Sequence, residues 1–430
     1  MSGSSDVLMD KTPTLAEATR VWWKIGILSF GGPAAQIALT HKEVVEDRNW
    51  LSEQQFLNAL SFCMLLPGPE AMQLATYAGW RLHGTLGGLI AGLLFVLPGA
   101  AVIMLLATIY SIYGDVPLVE ALFYGIKAAV LVIVVEALLR VAKKALSQRA
   151  HWLIAALAFI GIFFLSIPYP LIVLMAGLFG WFMGTVDMDR KAVDMAHVSV
   201  GKTSLTIATW LAIWLLPLLA LGWLGAPDIL VEGGRFFSTL AVVTFGGAYA
   251  VLAYMAQDVV VQFGWLTAGE MVDALGLAET TPGPLILVTQ FVGFLAGFKD
   301  GGLLLGLSAA VVALWVTFAP CFLWIFVGAP YIEWISNQPR LRGALKAITA
   351  AVVGVILNLS IWFALHVLFS GVNRQKLGPI TLWRPDLATI EWLAVALFFL
   401  SAFLAFRLHW GIIRILLVAS LLGAGLRLFL

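Results

Sequence analysis

The chemistry available to this chain is concentrated around two short stretches, LLPGPE at residues 65–70 and ETTPGP at 279–284. Each sets two prolines around a glycine inside a long apolar run. Neither proline donates a backbone hydrogen bond, and each ring clashes with the turn before it, so a continuous helix cannot pass through. The N–H groups freed there cannot be satisfied by lipid and must face protein, water or a ligand. The half-helix after each break begins with a partial positive charge, and nearby glycines let a ligand reach the main chain. Such donors suit a small multi-oxygen anion, because amides supply several hydrogen bonds without the full desolvation cost of a buried cation.

The candidate binding positions follow from that chemistry. Around the first break they are Gly31, Gly32, Pro33, Gln36, Pro67, Gly68, Pro69, Glu70 and Gln73; around the second they are Gly246, Gly247, Thr281, Pro282, Gly283 and Pro284. Lys127 and Lys346 are candidate fixed cations, each set inside its own apolar segment. An intramembrane lysine is a functional candidate by default, although either could snorkel to an interface. Glu70 can take a proton, position water, pair with Lys127, or cap the helix that follows it. No HExxH or GxSxG motif is present, and Cys63 and Cys321 lie far apart without CxxC or Cys/His neighbours. No catalytic residue, metal or cofactor is expected.

The elements that must position these residues are membrane helices. Of the 430 residues, 61% are hydrophobic and 11% charged, well outside the balance of a soluble domain. Mean hydropathy is +0.97. With 25 Lys and Arg against 24 Asp and Glu, nothing suggests nucleic acid as a partner; the surroundings are a lipid bilayer. Thirteen apolar stretches are long enough to be candidate spans, near 15–40, 52–81, 84–112, 118–141, 151–167, 169–186, 204–223, 236–256, 268–298, 301–327, 344–369, 389–406 and 410–428. The class is therefore an all-α polytopic membrane protein. Basic residues at Arg140, Lys143, Lys144 and Arg149, and again at Arg190, Lys191 and Lys202, place two loops in the cytoplasm, with the N-terminus inside and the C-terminus outside. Arg374, Lys376 and Arg384 fall outside in that arrangement.

The chain also repeats itself. SFGGPAAQ at 29 matches TFGGAYAV at 244, WLS at 50 matches WLT at 265, and LPGP at 66 matches TPGP at 281. All three pairs share the offset 215, and 14 of the 40 positions from 30 to 69 are identical at that offset. Lys127 pairs with Lys346 at a slightly drifted register, and Glu70 faces Leu285. The expected organisation is a cytoplasmic tail over 1–13, a first repeat over 14–186, a connecting loop and linker helix over 187–235, and a second repeat over 236–430. An odd number of crossings between the repeat starts inverts the second repeat, so that broken helices meet near the bilayer midplane.

FGGPAAQI, LLPGPEAMQLATYAG and GGLIAGLLFVLPG in the first half resemble the chromate ion transporter family, as do FGGAYAVLAYM and TPGPLILVTQFVGF in the second. The resemblance covers essentially the whole chain in the long, two-repeat form of that family. It implies export of chromate from the bacterial cytoplasm across the inner membrane, chromate resistance, and sulfate as a chemically close competitor. A sulfate transporter, or a polytopic membrane enzyme or scaffold whose breaks serve packing, stands as the alternative, and a homo-oligomer is left open.

Overall fold

Proline and glycine punctuation decides where the helices of this chain stop. The computed structural model describes residues 13–114, 116–183, 200–245, 248–332, 335 and 338–429. The tail up to residue 12, the loop carrying Arg190 and Lys191, and the candidates Gly246 and Gly247 lie outside these residues. The first repeat comprises α1 (Leu15–Leu28), α2 (Gly32–His41), α3 (Glu53–Cys63), α4 (Glu70–Tyr113), α5 (Pro117–Ala145), α6 (Arg149–Phe163) and α7 (Tyr169–Met183). The linker helix α8 (Val200–Trp223) follows. The second repeat comprises α9 (Asp228–Val243), α10 (Ala248–Gln257), α11 (Ala268–Thr280), α12 (Val288–Gly328), α13 (Pro339–Leu368), α14 (Trp392–Ala402) and α15 (Ile412–Phe429).

The repeat seen in sequence is also a repeat of local geometry. A π-helical turn follows α2 at Lys42–Glu46 and α10 at Asp258–Gln262. Ser52 with Gln55 forms a capping box at the start of α3, and Thr267 with Glu270 forms one at the start of α11. Gly68 and Gly283 both have positive φ, 119° and 89°. Each repeat also reverses direction within what reads as one long helix, at His83–Gly84 in α4 and at Gly301–Gly302 in α12. The two arms of α4 lie side by side: a Cβ on Gly92 would come 2.5 Å from Thr76 Oγ1, and Gly79 packs on Gly87. The pair Gly87–Gly88 therefore serves helix packing, as small residues do in membranes. Gly301–Gly302 makes the reversal in α12, with Gly302 at φ 77°.

Among the described residues, five helices are long and apolar enough to cross a membrane: Glu70–Tyr113, Pro117–Ala145, Val200–Trp223, Leu285–Tyr331 and Pro339–Leu368. Several of the thirteen apolar stretches are not single crossings. Lys24 Nζ on α1 is 2.6 Å from Glu43 Oε1 beyond α2. A straight helix would separate those residues by about 28 Å at 1.5 Å per residue. The stretch over 15–40 thus turns back on itself at Ser29–Gly31. Its twin over 236–256 does likewise, since the rings of Phe236 and Tyr254 lie 5.7 Å apart. Hydropathy alone cannot separate a hairpin of half-helices from a span, because both are apolar along their whole length.

The two repeats approach from opposite faces. At one end of the long arm of α4, His83 Nε2 lies 2.7 Å from Pro13 O at the start of the first repeat. Midway, Gly99 packs on Pro282, and near the far end Tyr110 donates to Asp273 Oδ2 at 2.8 Å, close to the start of α11. The short helices of the two repeats therefore begin at opposite ends of one spanning helix and meet at their breaks. The terminal hairpins are exchanged: α6 and α7 pack on α13 through Gly354 and Gly180, while α15 packs on α5 through Gly125 and Gly423. Helix α8, between the repeats, buries Trp210 and Trp214 and leaves Leu205, Leu216, Leu219 and Trp223 on the outer surface, as a lipid-facing helix does. An antiparallel hairpin, β1 (Val372–Leu377) and β2 (Ile380–Pro385), follows α13 and docks on the α6–α7 turn through Thr381 N to Phe164 O at 2.6 Å.

Candidate functional site

The breaks of the two repeats are wired to each other. Gly68 N donates to Thr244 O at 2.9 Å, and Gly283 N donates to Ser29 O at 2.8 Å. Ser29 and Thr244 are equivalent at offset 215, as are Gly68 and Gly283, so one bond is the image of the other. Each proline-glycine-proline triplet thus satisfies a freed amide on a carbonyl freed by the opposite repeat's glycine break. Gln36, buried on α2, adds a link that has no twin: its Nε2 donates to Gly283 O at 2.7 Å and Ser29 O at 3.2 Å. Gln73 Nε2 donates to Pro67 O at 2.7 Å, which ties the first turn of α4 to its own break.

Against this junction lies a narrow cleft. It is lined by Pro33, Gln36, Gly68, Pro69, Glu70, Ala71, Thr244, Pro284, Leu285 and Ile286. Two chain starts face it, that of α4 at Glu70 and Ala71 and that of the short 3₁₀ turn Leu285–Leu287 leading into α12. The first N–H groups of a helix have no partner within it, and they carry the positive end of its dipole. Glu70 is the one ionisable side chain in this lining. The lining therefore offers main-chain donors and a single carboxyl group and no lysine or arginine, while the side-chain donors of Gln36 and Thr244 are spent on Gly283 O, Ser29 O and Leu240 O.

Six of the sequence candidates (Pro33, Gln36, Gly68, Pro69, Glu70 and Pro284) come together in this lining. Gly31 and Gly32, with φ of 85° and 78°, shape the turn from α1 into α2. Pro67, Gln73, Thr281, Pro282 and Gly283 stand behind the lining: Thr281 Oγ1 donates to Ala278 O at 3.2 Å, and Pro282 packs on Gly99. The two lysines are elsewhere. Lys127 Nζ lies 3.3 Å from Asp273 Oδ1, so it joins α5 to α11 and does not pair with Glu70. Lys346 is exposed on α13. Register drift explains the miss, since pairing two lysines in sequence says nothing about the depth each reaches. Thr244 was overlooked although it occupies the first position of the matched SFGG and TFGG stretches. Asp273 and Tyr110 carry no motif.

The family profile described as chromate transporter matches residues 16–181 and again residues 231–425. The chain belongs to the chromate transporter family. Relatives agree along most of their length. A chromate transport protein of Pseudomonas aeruginosa is 30% identical over 417 residues, covering 93% of this chain and 89% of the relative. A probable chromate transport protein of Synechococcus elongatus is 29% identical over 366 residues, covering 82% and 86%. A chromate transport protein of Cupriavidus metallidurans is 28% identical over 346 residues, covering 80% and 81%. No solved structure matches. In this member of the chromate transporter family, both repeats present chain starts to the cleft between the crossed breaks.

Proposed function

We propose that this protein exports chromate from the bacterial cytoplasm across the inner membrane, with sulfate as a competitor, and that the oxyanion is held in the cleft between the crossed breaks. The observation that carries this reading is the junction itself: two chain starts, brought from opposite faces, with main-chain donors turned to one shared cleft. The alternating-access movement that such paired, inverted elements support is a rocking of one repeat against the other around this junction. Basic residues at the end of α5 and the start of α6 (Arg140, Lys143, Lys144 and Arg149) set that face in the cytoplasm, which puts the β1–β2 hairpin outside.

Energetics favour export. An interior-negative potential of about 100 mV assists outward movement of each negative charge by about 2.3 kcal/mol, so a dianion gains roughly 4.6 kcal/mol on leaving. Glu70 qualifies this. An ionised carboxylate about 4 Å from a dianion costs roughly 8 kcal/mol at an effective dielectric of about 20. Protonating an ordinary glutamate at pH 7 costs only about 3.7 kcal/mol. The smaller cost wins, so the occupied cleft holds a protonated Glu70, which then donates a hydrogen bond to the anion. Carrying that proton outward returns about 2.3 kcal/mol of the electrical gain and leaves the cycle downhill in the electrical term. Purified protein in liposomes, loaded with chromate, sulfate or molybdate with and without a pH gradient, tests substrate and coupling together. Absence of oxyanion flux with correctly inserted protein refutes the reading.

A further inference from the structure

A second cleft, narrow and open to the surface, lies under the β1–β2 hairpin, between α6, α10 and α13. Around it stand indole, carboxamide, hydroxyl and guanidinium groups. Asn358 and Trp362 sit four residues apart on one face of α13 and are 7% and 5% exposed. Trp362 Nε1 is buried without a hydrogen-bond partner, and no hydrogen bond engages the Asn358 amide among the described residues. Gln257, at the end of α10, and Ser166, in the α6–α7 turn, add an amide and a hydroxyl. Arg374 closes the rim, its guanidinium 5.6 Å from the centre of the Trp383 ring, with no carboxylate in salt-bridge range among the described residues. The neighbouring carboxylate, Asp258, is engaged by the Tyr254 hydroxyl.

Indole and guanidinium groups can only donate, so they are satisfied only by acceptors. A buried indole N–H without a partner favours a ligand rich in acceptor oxygens, and Arg374, exposed at the rim, favours one that is negative in charge. The first repeat has no hairpin at the equivalent place, where α5 and α6 are joined by three residues. The cleft lies on the face opposite the basic loop between α5 and α6, and the α10 half-helix that ends in it starts at the second repeat's break. We propose that this cleft is a second oxyanion site, formed by Arg374, Trp362, Asn358 and Gln257 under the hairpin, and separate from the central junction. Its ligand is a tetrahedral oxyanion, either free in solution or presented as the phosphodiester of a lipid headgroup.

The test is calorimetric titration of the purified full-length protein in detergent, with sulfate in one arm and short-chain phosphatidylglycerol in the other. Arg374→Gln, Trp362→Phe and Asn358→Leu are compared with the parent after each is shown to be monodisperse and to melt at the parent's temperature. Trp362→Phe keeps the ring and removes only the N–H, so it weakens the site by about tenfold, the loss of one hydrogen bond to a charged group. Arg374→Gln removes one class of bound sulfate while the central class persists, if the ligand is a free ion. Loss confined to the phosphatidylglycerol arm assigns the same site to a headgroup. Parent stoichiometry and affinity for both ligands in all three variants overturn the proposal and leave the central reading untouched, and loss of flux from the parent protein in liposomes does the reverse.

Discussion

Replacing Glu70 by glutamine isolates the carboxyl group at the central cleft. Glutamine keeps the size and offers an N–H donor where a protonated glutamate offers O–H, but it needs no proton to do so. If the anion enters only with a proton on Glu70, the apparent affinity of the parent for a dianion falls about tenfold per pH unit above the point where the free carboxyl is ionised. Sulfate is the probe of choice, because it stays a dianion between pH 6 and pH 8 and any slope then belongs to the protein. Over those two units the parent loses affinity, by at most about a hundredfold, whereas Glu70→Gln is flat. The variant also binds at least as tightly at pH 8, since it is spared a protonation cost that exceeds about 3.7 kcal/mol there. Equal slopes in the two proteins would show that the proton is bound somewhere other than Glu70. A flat parent would remove the proton from the cycle altogether and leave a uniport driven by the membrane potential.

Three further outcomes follow from the same geometry. Gly68→Leu must hold a side chain at φ 119° with its Cβ 2.8 Å from Gln73 Nε2 and 2.9 Å from Cys321 Sγ; the expected result is protein that inserts in the membrane but gives cells no chromate protection, and full protection would refute the placement of the cleft. Gln36→Leu strips donors from Gly283 O and Ser29 O and should lower stability in detergent by about 1–3 kcal/mol, read as a fall in melting temperature, whereas an unchanged melt would mean the link is idle. Lys127→Ala leaves Asp273 buried without its cation and should cost about 3 kcal/mol. Adding Asp273→Asn should recover most of that loss together with the flux, while a double variant that is stable but still inactive would return Lys127 to the transport pathway.

The polytopic class and the paired breaks were legible in sequence because glycine, proline and tryptophan in one register cannot arise from apolar composition. Trp50 with Trp265 and Pro67-Gly68-Pro69 with Pro282-Gly283-Pro284 carried the alignment, and six of the residues chosen on that basis line a single cleft. What could not be read was depth and direction. The chain over 15–40 looks like one span because α1 and α2 are both apolar; that it folds back is fixed by Lys24 finding Glu43, a contact between residues that share no motif. Lys127 was drawn to the site by its intramembrane position and by its sequence partner Lys346. Its true neighbour, Asp273, lies in the other repeat, where only tertiary structure brings it near. The β1–β2 hairpin interrupts the second repeat between helices whose counterparts are joined directly, so no internal comparison announces it.

The asymmetry between Glu70 and Leu285 acquires a physical reason once the breaks are seen to share one cleft. Two inverted repeats give an anion nearly equivalent donors from each face, so the main chain favours neither direction of exposure. Two carboxyl groups there would each have to be protonated before a dianion could bind, costing about 7.4 kcal/mol at pH 7, close to the whole repulsion of one ionised carboxylate. Carrying two protons outward would also cancel the roughly 4.6 kcal/mol that the membrane potential gives a departing dianion. A single carboxyl group keeps about half of that electrical gain and still excludes the dianion when the proton is absent. If the anion sits in this cleft, leucine at position 285 preserves that half of the electrical gain, and Leu285→Glu should bind sulfate with a slope approaching two protons per anion above pH 7 and lose its response to membrane potential in liposomes. A Leu285→Glu protein that retains the parent's one-proton slope and its voltage dependence would show that position 285 does not share the anion's cleft.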